Sequence, residues 1–222
     1  MILLNETEED VLKELFNLSF GKTAATLSEM VDAEIALSLP CFFTLSRGAV
    51  VEHIHSLYGE AIGLVGMRYR FLFSPGQTIP GMAILLIRAA EIAHFLDALY
   101  GTHIPEEMAN RVEEEAMQLT GDLLLYTCTS SLSTLFSSEI EGEKPHYYRG
   151  GPEGLSAYLS LSDPPLTPVE ESADPAAQLL LLRVDFSLVG KEVAGSLLTW
   201  LEGAHLPTLK KEITRFMAAY LD

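Results

Sequence analysis

Basic residues are scarce in this chain: 14 Lys and Arg stand against 31 Asp and Glu, leaving a formal net charge of −17. That balance argues against a surface for nucleic-acid phosphates, and no local basic run offsets it. It equally opposes docking on an anionic membrane. Cysteine is scarcer still. The two residues, Cys41 and Cys128, have no metal-ligand spacing and read as reduced, structural thiols, which points to the cytoplasm. Long hydrophobic runs are missing too. The most apolar stretch, 82–96, is interrupted by Arg88, Glu91 and His94, so nothing provides the roughly 18–20 apolar residues that span a bilayer. The first six residues lack a basic n-region and a sufficient apolar stretch, so no signal peptide is expected there. No Gly-x-Ser-x-Gly turn and no phosphate-cradling glycine loop occurs; Gly150-Gly151-Pro152 reads as a loop.

What is present is a core. Apolar residues make up 48% of 222 residues and aromatics 9%, which describes a folded globular protein. Helical periodicity runs over about 8–31, with acidic residues in the first turn where the helix dipole favours them. Strand-like segments follow at 35–39 and 62–73, and the turn Ser74-Pro75-Gly76-Gln77 separates the latter from an apolar run at 82–87. A helix over 89–100 stops at Gly101. After Pro105 the order begins again: a long helix over 106–136, strands near 179–188 and 193–201, and an amphipathic helix over 206–220.

A shift of about 105 residues places Asp10 on Glu115, Ser28 on Ser133 and Pro40 on Pro145, whereas a shift of about 114 pairs 81–85 with 195–199. The difference fits an insertion in the second half, at roughly 150–177, where Pro164, Pro165, Pro168 and Pro175 mark a long polar loop. The expected architecture is α+β: one domain over 1–222, built from repeat units at about 6–101 and 106–222 that share an antiparallel sheet with long helices packed on it.

On the first helix, Asp10, Glu14, Asn17, Gly21, Ala24 and Ser28 form one stripe at helical spacing, and Leu12, Leu15, Phe16, Thr23, Leu27 and Met30 form the core side. A carboxylate and an amide one turn apart can hold a water or a partner's lysine without any metal. Gly21 and Ala24 either let a partner backbone approach or admit an element of the same chain.

The spacing Asp-x3-Glu-x2-Asn-x22-Pro, met by Asp10, Glu14, Asn17 and Pro40, resembles the motif of the CheC, CheX and FliY phosphatases. The run from Gly21 to Met30 is similar to the continuation of that helix in CheC-like sequences. The resemblance implies a pseudo-symmetric CheC-like fold and hydrolysis of the aspartyl phosphate on a CheY-like receiver domain. The receiver supplies the acyl phosphate and Mg²⁺, so this chain is expected to bind no cofactor and no metal of its own. By the same resemblance Asn17 orients the attacking water and Glu14 contacts the receiver's lysine. Asp10, Gly21, Ala24 and Ser28 would face the partner. A neutral amide suits this task because it both donates and accepts and does not repel phosphate.

The second copy departs from the pattern. Leu119 stands where Glu14 does, Asp122 where Asn17 does and Tyr126 where Gly21 does, so Glu115, Leu119 and Asp122 read as a vestigial site. Glu113–Glu115 reads as a solvated helix start. Phe16 occupies a position that is glycine in many CheC-like sequences; it either packs inward or meets the partner. The alternative to catalysis is an interaction module that binds a receiver, a CheD-like deamidase or a flagellar switch component. The internal repeat makes a monomer the simpler expectation. His53 and His55, placed on one strand face, would form a pair without a third ligand; paired surface histidines are the commoner case. Trp200 reads as core or edge packing, and Lys210-Lys211 as a solubilising or partner-facing pair.

Overall fold

The computed structural model describes residues 4–59, 61–73, 76–160 and 178–220. A 26-residue helix, α1 (Glu6–Val31), starts at a capping box in which the Asn5 side chain accepts from the Glu8 N–H and the Glu8 carboxylate accepts from the Asn5 N–H. It leads through β1 (Ile35–Leu37), β2 (Cys41–Ser46) and α2 (Ala49–Tyr58) into the hairpin β3 (Ile62–Phe73) and β4 (Gln77–Arg88), then α3 (Ile92–Tyr100). The same order recurs as α4 (Glu106–Phe136), β5 (Glu139–Gly142), β6 (His146–Gly150), α5 (Pro152–Ser160), the hairpin β7 (Gln178–Leu188) and β8 (Ala194–Glu202), and α6 (Leu206–Tyr220).

All eight strands join one sheet, antiparallel at every pairing. The two hairpins meet at its centre along β4 and β8, where Ile84 stands opposite Leu198, 114 residues on. The edges are exchanged. The short strands β1 and β2 pair with β7 of the second hairpin, and β5 and β6 pair with β3 of the first. The expected α+β architecture is therefore present, and the register between the hairpins follows the 114-residue shift.

Successive strand residues face opposite sides, so the sheet carries two cores. One face, with Val65, Met67, Leu85, Ile87, Leu182 and Leu197, is covered by α1, α3, α4 and α6. The other, with Leu64, Ile84, Leu181 and Trp200, is covered by the short helices α2 and α5. Trp200 thus packs in the core on a central strand. The two long helices end alike. Ser28 Oγ donates to the Ala33 carbonyl at 2.7 Å and Ser133 Oγ to that of Ser138 at 2.5 Å, beside the left-handed C-caps Asp32 and Ser137.

Several sequence expectations need correction. The loop expected over 150–177 contains α5; residues 161–177 lie outside the described residues. Helix α2 also lacks a counterpart in the sequence reading. His53 and His55 therefore sit on a helix, where residues two apart diverge: His53 lies against the Phe43 ring at 5.0 Å, and His55 is exposed. They form no pair. Glu113 is not solvated. It is 6% exposed, paired with Arg149 and hydrogen-bonded by the Tyr147 hydroxyl at 2.5 Å, tying α4 to β6. Lys210 ties α6 to the start of α1 through Glu8 at 3.0 Å, whereas Lys211 is exposed.

Among the described residues no helix is long and apolar enough to cross a membrane, and no group of three or more His, Cys, Asp or Glu is placed to hold a metal ion. Cys128 lies where α1 and α4 touch, its backbone carbonyl accepting from Ser19 Oγ at 2.8 Å. Burial pushes its thiol up to about 12. Cys41 is exposed. Alkylation of the native chain at pH 8 is therefore expected to label Cys41 alone, and mass mapping after denaturation should recover an unmodified Cys128.

Candidate functional site

Helix α1 lies on the helical face of the sheet with Leu12, Leu15, Phe16, Phe20 and Leu27 turned inward. Phe16 is 3% exposed, with its ring 6.0 Å from Phe20 and edge-on to Phe42 at 6.1 Å. It is a core residue and does not stand between Glu14 and Asn17 on the surface. Glu14 and Asn17, one turn apart, are both exposed, and neither makes a hydrogen bond or an ion pair among the described residues. Asp10 is exposed a turn earlier, with Lys13 Nζ at 3.3 Å from its carboxylate.

The stripe read from the sequence holds as far as Gly21 and then turns away. Ala24 is 9% exposed, and the Ser28 hydroxyl is engaged in the C-cap. A stripe built on alternating steps of four and three follows a 3.5-residue period. A straight helix repeats at 3.6, so the two diverge by about 20° per heptad. The open face instead continues through Gly21, Lys22 and Ala25. Leu18, 49% exposed beside Asn17, belongs to this face and was missing from the reading, although its position one turn after Glu14 places it there.

Among the described residues Gly21 has no atom within 4 Å of where a Cβ would stand, so no described element packs against it. A glycine in a helix interior costs about 1 kcal/mol against alanine. Gly21→Ala is therefore expected to raise the unfolding free energy, by up to ~1 kcal/mol in a denaturant titration. If the open surface serves a docking partner, the same substitution weakens that interaction while it stabilises the fold.

The second long helix presents a different surface. Leu119, Leu123 and Tyr126 are 66%, 44% and 44% exposed, Glu115 is exposed, and Asp122 is half-buried. The α4 face is thus apolar with an acidic margin and has no amide at the position equivalent to Asn17.

No protein-family profile matches the chain. The solved structure of FliY from Thermotoga maritima superposes with a TM-score of 0.70 at 16% identity, covering 97% of this chain and all of that one. The chemotaxis protein CheX from Desulfovibrio desulfuricans superposes at 0.51 with 12% identity, over 85% of this chain and 99% of that one. The chain has the fold of FliY and CheX. In sequence it is similar to the flagellar motor switch phosphatase FliY of Bacillus subtilis (strain 168), 24% identical over 149 residues. That match covers 64% of this chain and only 35% of the relative's length. The FliY-type fold explains why the motif helix sits on the outside: the sheet and the other helices take its apolar side, leaving the Glu14–Asn17 side to solvent.

Proposed function

We propose that this chain hydrolyses the aspartyl phosphate of a response-regulator receiver domain. The observation that carries the reading is the pair Glu14 and Asn17, whose side chains are exposed one turn apart on a long helix and committed to no partner within the described residues. The FliY relative, whose name is that of a switch phosphatase, supports it. In this reaction water attacks phosphorus, the phosphorus–carboxylate bond breaks, and inorganic phosphate and a free aspartate result. Such a loose transition state gains mainly from positioning and electrostatics. Asn17 would orient the water, Glu14 would hold the receiver's lysine, and Asp10, Leu18 and Gly21 would border the contact. Mg²⁺ belongs to the receiver. The reading treats 1–222 as one two-fold unit acting as a monomer, with its single working site on α1.

The test is the decay of a Mg²⁺-supported phosphorylated receiver domain with and without this protein. Faster decay at substoichiometric protein supports hydrolysis. Binding without acceleration supports the second reading, a non-catalytic signalling module, which the apolar face Leu119, Leu123 and Tyr126 favours. A chain of charge −17 facing an acidic receiver gains nothing from long-range attraction. Raising salt from low to physiological strength should thus leave turnover unchanged or slightly faster; a steep loss would contradict this docking picture.

A further inference from the structure

On the sheet face opposite α1, a cleft of about 280 Å³ opens between the ends of α2 and β4, the middle of β7 and the start of β8. Leu57, Tyr58, Arg88, Arg183 and Asp185 line it. Arg183 lies over the Phe43 ring at 5.5 Å, with its side chain 18% exposed. Its Nε is buried without a hydrogen bond, and the structure gives none to its other nitrogens among the described residues. Asp185 is near, at 3.3 Å from Nε, but out of line for a hydrogen bond. The buried Nε–H is left without an acceptor, and the terminal nitrogens have none among the described residues and are free to meet one in the cleft.

The neighbours are already committed. Ser196 Oγ donates to Asp185, so the short contact between Tyr58 and Ser196 is made by the Tyr58 hydroxyl as donor. Burial pushes the Tyr58 phenol up to about 12, which keeps it protonated for that role. Arg88 lies over the Tyr58 ring at 5.6 Å and spends one terminal nitrogen on Glu91 at 2.9 Å. The cleft therefore holds two guanidiniums, each stacked on an aromatic ring, with free N–H edges and an apolar wall at Leu57.

We infer that this cleft binds a small monocarboxylate through Arg183 and Arg88. A carboxylate matches the planar fork of a guanidinium with two parallel hydrogen bonds. The volume lies just below the ~300 Å³ at which drug-sized pockets begin, which suits a molecule smaller than a nucleotide. Asp185 and Glu91 offset the two arginines, so the cleft lacks the net positive charge that a phosphate dianion needs and suits a singly charged carboxylate better. The site is independent of the phosphatase reading, because α1 lies on the other side of the sheet.

The test is titration of the full chain with benzoate, followed by NMR at the arginine Nε–H signals and the Gly195 amide. Saturable shifts are expected, with a dissociation constant of roughly 1 mM or below. Arg183→Gln should weaken binding about tenfold or more. Asp185→Asn keeps an acceptor for Ser196 but removes the competing charge, so it should tighten binding several-fold, an effect that mere loss of structure would not produce. Asn17→Ala should leave the benzoate affinity as it is, because α1 lies on the other side of the sheet. Inorganic phosphate at pH 7.5 should bind at least about tenfold more weakly than benzoate. Shifts that do not saturate, or that survive Arg183→Gln, would overturn the site and leave the cleft to water. Phosphate binding as tight as benzoate would overturn the ligand class. Should Arg183→Gln fail to fold, Arg88→Gln and Asp185→Asn must still move affinity in opposite directions.

Discussion

Asn17→Ala is expected to slow the accelerated decay of a phosphorylated receiver by about 10²-fold or more, a loss near 3 kcal/mol of barrier. The figure follows from the role proposed for the amide, which holds a water in line with phosphorus and has no part in the fold. The Asn17 side chain is exposed and makes no hydrogen bond among the described residues, so the variant should unfold within about 0.5 kcal/mol of the native chain. Activity and stability would then separate cleanly. Asn17→Asp sharpens the point. It keeps the shape but brings a negative charge to the phosphate, and it reproduces in α1 what Asp122 already presents in α4. It should be as inactive as Asn17→Ala. Asp122→Ala should leave turnover unchanged, whereas a comparable loss there would mean that both long helices work. A native chain that binds the receiver without accelerating its decay would remove the catalytic reading altogether.

The largest effect on stability is expected at a glycine that the sequence did not single out. Gly121 lies in α4 where the helix crosses β3, and a Cβ there would stand 2.2 Å from Val65 Cγ1 and 2.6 Å from Val65 Cβ. Val65 is fully buried and β-branched, so it cannot swing aside. Gly121→Val must lift the helix from the strand or force both off their rotamers, at a cost of about 3 kcal/mol. In a chain of this size that lowers the melting temperature by roughly 6–12 °C, readable by calorimetry or circular dichroism. Pairing Gly121→Ala with Val65→Ala should recover part of the loss, because the two positions share one contact. Gly21→Ala is the control. Both residues are helical glycines, yet one is demanded by packing and the other faces open space, so the two substitutions should move stability in opposite directions.

Much of the architecture was legible in local patterns. The long helices showed in their periodicity, the central hairpins in apolar runs broken by turn residues, and the internal order in two offset shifts. The 105-residue shift reappears as the Ser28 and Ser133 caps, and the 114-residue shift as the pairing of Ile84 with Leu198. Short elements were missed. Helix α2 buries only Val50 and Ile54 and contains two valines and two histidines, so its ten residues carry little helical signal beyond the flanking Gly48 and Gly59. Helix α5 begins directly after Gly150-Gly151 and at a proline, which reads as a loop although proline suits the first turn of a helix. Glu113 was read as solvated because an acidic run looks alike whether or not an arginine from β6 lies over it.

Sequence alone determined the long helices, the central hairpin strands and which side of α1 is apolar, because these follow from the spacing of side chains along one chain. Tertiary structure decided which strand edges meet. Every edge offers the same N–H and C=O groups, and only the packing of both sheet faces selects the exchange that seats β1 and β2 on β7 and β5 and β6 on β3. The same packing bent the usable surface of α1 away from Ala24 and Ser28. It also separated two glycines that look alike in sequence: Gly121 is held against a strand, and Gly21 stays open beside Asn17 because nothing among the described residues comes near it.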